Sequence, residues 1–353
     1  MSFFAIPNVA LRGVAACVPG QIEEVGALSV FKADEAEHFS HSTGIERRRK
    51  APAGVCSSDL CVRAAEELIA SLGWDKREIS ALVFVSQTPD YILPATAPGI
   101  QQALGLGREC YALDISLGCS GWVYGLSALA GVLSNIAGQR GKALLLAGDT
   151  PLKFCSEQDR STYPLFGDAG TATALEYDRE ASPLLFDMHS DGSDSRAIII
   201  RDGGYRFPVA PDSFVARTRG EGIVSNNLQL ELDGMDVFAF GIRRAPESVV
   251  GLAAQFGLDL NAVDYFIFHQ ANLFMNEKIR KKLKLAPEKV PYSLADFGNT
   301  SCATIPLTMV ACMRETLQAQ KLNHVACGFG VGLSWGSVHF ATDRIVCPPL
   351  IEF

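Results

Sequence analysis

The chain has 353 residues, 48% hydrophobic and 20% charged, enough to bury the core of two domains or of one large two-lobed unit. Its 31 basic and 39 acidic residues leave a formal charge of −8, which argues against nucleic acid as a general partner, because phosphate binding needs a basic surface. No apolar run reaches about 18 residues, so no membrane span is expected; ten scattered cysteines without a Cys-x-x-Cys pair and six histidines without His-x-x-x-His spacing give a metal site poor support.

Met1–Ala10 has no basic residue ahead of its apolar stretch and reads as a first strand, not a signal peptide. That leaves the cytoplasm as the expected compartment and reduced thiols as the expected state. Leu60–Leu72 carries apolar residues at helical spacing, and Ala81–Val85 reads as a buried strand. Gly118-Cys119-Ser120-Gly121 then opens Gly121–Ile136, a helix apolar nearly all round and so expected to be deeply buried. A thiol at a helix start feels the positive end of the dipole, which predicts a lowered pKa and a nucleophilic thiolate. The bland reading of Cys119 is a small core residue beside a turn.

Ala143–Ala147 reads as a further buried strand, and Phe166–Gly170 as a structural glycine-rich turn. Tyr265–Phe268 is another strand, ending at His269-Gln270-Ala271-Asn272. A neutral imidazole there donates or accepts a proton near neutral pH. Lys278, Arg280, Lys281, Lys282 and Lys284 crowd one helix segment, either a solvated face or a landing pad for an acidic partner. Asn299, in Gly298-Asn299-Thr300-Ser301, offers an amide donor or a helix cap. Gly328-Phe329-Gly330-Val331-Gly332 lacks the G-x-G-x-x-G spacing and a following helix, so it suits aiming backbone N–H groups at an oxyanion better than binding a dinucleotide.

The chain also resembles itself. Ile79–Pro89 and Asn261–Asn272 share a polar lead-in, a buried strand and a polar exit. Tyr111–Gly125 and Tyr292–Leu307 each run into an apolar helix, and a third strand with a glycine exit follows in both copies. Ser86 to His269 spans 183 positions and Cys119 to Asn299 spans 180. A nearly constant offset predicts two similar α/β halves, 1–180 and 181–353, joined near Asp178–Pro183. Ligands of α/β sheets bind beyond the carboxyl ends of strands, so Cys119, His269 and Asn299 are expected to converge on one cleft.

Together these residues resemble a β-ketoacyl-acyl carrier protein synthase III of the thiolase superfamily. The resemblance covers nearly the whole chain and rests on Cys119-Ser120-Gly121, His269-Gln270-Ala271-Asn272, Gly298–Ser301 running to Ile305-Pro306, Gly328–Gly336, and Thr43-Gly44-Ile45 with Arg47–Arg49. It implies a five-layered αβαβα fold, a homodimer and a Cys119-His269-Asn299 triad. It implies decarboxylative condensation of an acyl group on Cys119 with a malonyl thioester, in the biosynthesis of fatty acids or related lipids. The oxyanion would rest on the N–H groups of Cys119 and Val331. Leu93 would enter the partner subunit's acyl pocket, and Lys278, Lys281 and Lys282 would receive an acidic acyl carrier protein. Acyl-coenzyme A or acyl-carrier thioesters are the implied substrates, with no metal or redox cofactor.

The chain departs from the family pattern at His38 and Ser42, where a tryptophan and an arginine that clamp coenzyme A are usual, at Phe274, often arginine, and at Val331, usually glycine. A carrier-bound acyl donor is therefore expected to load Cys119 faster than coenzyme A, unless Arg47–Arg49 hold the phosphates instead. Two further readings stay open, an acyltransferase to oxygen or nitrogen without decarboxylation and a non-catalytic subunit of a heterodimeric synthase. The order Cys, His, Asn also occurs in papain-like proteases, but those keep their cysteine near the mature N-terminus.

Overall fold

The computed structural model describes residues 2–32, 34–136, 138 and 141–353. Two mixed sheets carry the fold. In the first, strand Ile79–Val85 lies parallel to Tyr111–Ile115 on one side and to Lys142–Asp149 on the other. Ala169–Tyr177 and Val9–Val18 continue it, each antiparallel to its neighbour, and Ile351–Glu352 closes the edge. In the second, Tyr265–Phe268 pairs parallel with Lys321–Gly330, and Ser334–Asp343 and Leu184–Ser190 follow antiparallel. Ser2–Ile6 closes that edge. The two sheets repeat one order of parallel, antiparallel and antiparallel pairings. Among the described residues the second copy has no strand matching Tyr111–Ile115; its stretch before Asn299 holds the short helix Leu294–Phe297 instead.

The strands read as continuous apolar runs because both faces are covered. Side chains alternate across a strand. In Lys142–Asp149, Ala143, Leu145 and Ala147 enter the core between the sheets, while Leu144 and Leu146 enter an outer core. In Tyr265–Phe268, Ile267 faces the inner core and Phe266 and Phe268 a third one. Helices Gly121–Ser134 and Thr304–Ala319 fill the space between the sheets. Ser57–Leu72 covers the outside of the first sheet, and Gly234–Phe256 with Leu273–Lys282 the outside of the second. The layers thus alternate αβαβα. Gly121–Ser134 is apolar all round because it is sandwiched, with Trp122, Leu126 and Leu129 fully buried.

The chain passes from one sheet to the other between Tyr177 and Leu184. The edge strands cross over: Ser2–Ile6 completes the sheet of the second half, and Ile351–Glu352 that of the first. Asp149, His269 and Gly330 stand at or just past the carboxyl ends of their strands, and the turn bearing Cys119 follows Tyr111–Ile115. These ends meet at the middle of the molecule. Among the described residues no helix is long and apolar enough to cross a membrane.

Candidate active site

Cys119 directly precedes Ser120, the cap of the Gly121–Ser134 helix. The glycine-rich strand end lies against it. A Cβ added at Gly330 would sit 2.5 Å from the Cys119 Cβ and 2.9 Å from its Sγ; one at Gly328 would meet the Cys119 carbonyl at 2.9 Å. Any side chain at either position would push the strand away, so the glycines bring the backbone to the sulfur. The N–H groups of Cys119 and Val331 both point at Sγ. The lowered thiol pKa predicted from the helix start is corrected by the structure. Burial pushes the Cys119 thiol up to about 12, the nearby Asp149 adds to the rise, and the Ser301 hydroxyl and the two N–H groups offset only part of it. Desolvation outweighs the helix dipole because the sulfur is enclosed by both halves.

His269 is fixed through its backbone. Its N–H donates to the Cys327 carbonyl at 2.9 Å, and Asn276 Nδ2 donates to its carbonyl at 3.0 Å. Its Nδ1 lies 2.8 Å from Thr304 Oγ1. Burial pushes the imidazole down to about 3, only partly offset by the Ser301 backbone, so the ring is neutral at physiological pH. Asn299 is held by its N–H to the Leu165 carbonyl at 2.9 Å, and Gly167 N–H donates to its carbonyl at 3.1 Å. The Ser301 N–H donates to Asn299 Oδ1 at 2.9 Å, which turns the Nδ2 donor towards the cavity.

Cys119, His269, Asn299 and Val331 border one cavity of about 240 Å³, whose other walls include Phe154, Phe166, Ile198, Leu230, Leu232 and Phe329. The sequence reading missed these walls, and Gln87 and Ser301 beside them; Ile198-Ile199-Ile200, an apolar triplet in a polar stretch, was the available signal. An outer space of about 550 Å³ shares Phe166, Leu232, Val237, Met275 and Asn299 with the cavity and is bordered by Phe238 and Phe274. Beyond it a surface cleft of about 490 Å³ holds His38, Ser42 and Arg160, with Ser161 common to both. Arg160 is paired with Glu35 at 3.1 Å. Arg47–Arg49 are engaged elsewhere: Arg47 with Asp296, buried Arg48 with Glu23, and Arg49 with Glu352. Leu93 is 82% exposed and does not line this chain's own cavity. Lys278, Lys281 and Lys282 lie exposed on the Leu273–Lys282 helix, Lys278 over the Phe274 ring at 5.2 Å, while Arg280 is bound to Glu277 at 2.7 Å.

Residues 113–192 match the family model described as 3-oxoacyl-[acyl-carrier-protein (ACP)] synthase III, and residues 253–342 match the model of its C-terminal part. The β-ketoacyl-[acyl-carrier-protein] synthase III of Streptococcus equi subsp. zooepidemicus is 32% identical over 92% of this chain and 96% of that protein. The protein of the same name from Symbiobacterium thermophilum is 32% identical over 96% of this chain and 99% of its own length. A 3-oxoacyl-(acyl-carrier protein) synthase from Burkholderia xenovorans has a crystal structure that superposes with a TM-score of 0.93 at 37% identity, covering 100% of this chain and 99% of that one. The Pseudomonas aeruginosa 3-oxoacyl-(acyl carrier protein) synthase III gives a TM-score of 0.82 at 30% identity, over 96% and 99% of the two chains. Similarity of this extent, spread over both halves and every layer of the fold, makes the chain a member of the 3-oxoacyl-[acyl-carrier-protein] synthase III family.

Proposed function

We propose that this site joins an acyl group carried on Cys119 to a malonyl thioester that loses carbon dioxide, giving a β-ketoacyl thioester for fatty acid or related lipid biosynthesis. The observation that carries the reading is the single cavity bordered by the Cys119 thiol, the neutral His269, the Asn299 amide and the Val331 backbone. The Cys119 sulfur attacks the donor thioester carbonyl, the C–S bond breaks, and the donor thiol departs. The oxyanion formed on the way accepts hydrogen bonds from the N–H groups of Cys119 and Val331. The malonyl thioester then enters and its carboxylate carbon leaves as carbon dioxide. The remaining electron pair is held as an enolate whose oxygen accepts from His269 Nε2–H and Asn299 Nδ2–H. For this, the Thr304 hydroxyl turns its one proton from the Ser301 carbonyl, 3.0 Å away, to Nδ1, 2.8 Å away, which leaves the ring proton on Nε2. The carbanion attacks the acyl carbonyl, and Cys119 is released and reprotonated from solvent. Side chains and backbone donors supply every step, so the reading calls for no metal or redox cofactor.

The apolar walls suit an acyl chain. A second copy of the chain would complete them: Tyr91, Ile92 and Leu93 form an apolar, exposed loop tip, and a homodimer lets Leu93 enter the partner's pocket. Among the described residues the outer cleft has one arginine, Arg160, and it already holds Glu35, so a carrier-bound donor is favoured over a nucleotide-bearing one. We assign the enzyme to the cytoplasm. The test is to purify the chain alone, offer it matched acyl groups on coenzyme A and on carrier protein, and then add a malonyl thioester. Carbon dioxide released in step with β-ketoacyl product supports the reading, with faster loading from the carrier. Acyl transfer without carbon dioxide release indicates transfer to oxygen or nitrogen, and no transfer at all indicates a subunit that needs a partner.

Lys278, Lys281 and Lys282 lie exposed on the Leu273–Lys282 helix, whose Phe274 and Met275 border the outer space, and are assigned to docking the acidic carrier by charge steering. Replacing Lys281 and Lys282 by glutamate is expected to raise the apparent KM for a carrier-bound acceptor while leaving a small thioester acceptor unaffected. Equal effects on both acceptors would make this helix merely a solvated face.

A further inference from the structure

We propose that Ser301 and Asp149 form a proton relay serving the Cys119 thiol, an inference that rests on Cys119 being the nucleophile. Ser301 touches all three reactive residues. Its N–H donates to Asn299 Oδ1 at 2.9 Å, its carbonyl accepts from Thr304 Oγ1 at 3.0 Å beside His269, and its hydroxyl faces the Cys119 sulfur on one side and Asp149 on the other. It achieves this at φ 55°, in the left-handed region that non-glycine residues rarely adopt.

Asp149 is fully buried at the end of its strand, behind the thiol. One carboxylate oxygen is saturated: Oδ1 accepts from Ser86 Oγ at 2.8 Å, Gln87 N–H at 2.7 Å, and the N–H and hydroxyl of Thr88, both at 3.1 Å. The other, Oδ2, has no hydrogen-bond partner, while the Ser301 hydroxyl and the Cys302 thiol lie near enough to the carboxylate to offset part of the burial effect on it. The titratable groups around Asp149 are the thiols of Cys61, Cys119 and Cys302; no ion pair reaches it among the described residues. A buried carboxylate with one unsatisfied oxygen and only thiols about it is a base without an assigned acid. Burial raises its pKa, which makes it a stronger proton acceptor, whereas an imidazole held at about 3 is a poor one for a thiol held at about 12.

The proton balance closes within the loading step. As sulfur attacks the thioester carbonyl, the Cys119 proton passes to Ser301 Oγ and the Ser301 proton to Asp149 Oδ2. When the tetrahedral intermediate breaks its C–S bond, the departing thiolate takes a proton from the Ser301 hydroxyl, which lines the cavity, and Asp149 returns its own to Ser301. No net proton is gained or lost.

Two substitutions isolate the relay. Ser301→Gly suits the left-handed backbone and removes the hydroxyl together with its Cβ. Asp149→Asn keeps the Oδ1 acceptor and replaces Oδ2 by a donor. Single-turnover loading is measured from pH 6 to 9 with the acyl thioester that loads the wild-type chain fastest, and the acylated peptide is mapped by mass. Each variant is expected to load about 10²-fold or more slowly, with a steeper rise with pH because solvent must then form the thiolate. Malonyl decarboxylation should fall less than loading. The double variant should be no slower than the slower single, since both sit on one path. Loading at the wild-type rate in either variant, an unchanged pH slope, or losses that multiply in the double variant would overturn the relay alone. Wild-type acylation mapped away from Cys119 would overturn the nucleophile assignment and the relay with it.

Discussion

Cys119→Ala is expected to abolish acyl-enzyme formation while leaving the fold intact. A low thiol pKa is not what singles Cys119 out, since burial holds it at about 12, the same as Cys17 and Cys327. Position does: among the described residues it is the one cysteine that lines the cavity, beside the Val331 N–H. Holding a reacting pair in place is worth up to about 10⁵–10⁸ M of effective concentration, far more than any pKa difference among these thiols. The measurement is intact mass after incubation with acyl thioester. Wild type should gain one acyl group, and Cys119→Ala none on the same timescale. A gain of the same mass at the same rate in the variant would remove Cys119 from the mechanism.

The second large effect separates loading from condensation. His269→Ala and Asn299→Asp are each expected to slow malonyl decarboxylation by about 10²–10³-fold, the usual cost of one oxyanion donor, with much smaller effects on acylation. Aspartate is the cleaner replacement at Asn299. It keeps an oxygen for the Ser301 N–H, whereas alanine would leave that buried donor unpaired at a cost of about 1–3 kcal/mol. The pH dependence follows from the His269 pKa. A group whose pKa is lowered to about 3 is already neutral well below physiological pH, so wild-type decarboxylation should show no histidine limb between roughly pH 5 and 8. Normal decarboxylation in either variant alongside failed loading would reverse the assigned roles.

What the sequence disclosed was whatever repeats or punctuates. Strands covered on both faces are apolar without interruption, so Ala81–Val85, Ala143–Ala147 and Tyr265–Phe268 were legible, and the offset near 180 anticipated the pairing order that the two sheets share. Cys119 was legible through Gly118 and Gly121, and His269 and Asn299 through their places at the ends of matching segments. The thiol's raised pKa was not, because it depends on how deeply two distant halves enclose the sulfur. Ser301 and Asp149 are single polar residues at no diagnostic spacing, and their meaning comes from a φ of 55° and an unpaired oxygen that only folding creates. The cavity walls at Ile198–Ile200 and Leu230 belong to a stretch of very short strands with no sustained period. Arg47–Arg49 look in sequence like free phosphate ligands, and folding gives each a carboxylate.

The exchange of edge strands bears on how the chain is made. Each sheet is finished by a strand from the far end of the sequence: Ser2–Ile6 pairs with Leu184–Ser190, and Ile351–Glu352 with Val9–Val18. During synthesis the first half emerges with one sheet edge still open, and its earliest strand must wait nearly two hundred residues for a partner. Such long-range pairings are slow to form and leave unpaired strand edges exposed meanwhile. Neither half is a unit that nascent chain can complete and set aside. The molecule closes on itself like a clasp only after residues 351 and 352 have left the ribosome, so newly made chains depend on protection from aggregation until that strand is out.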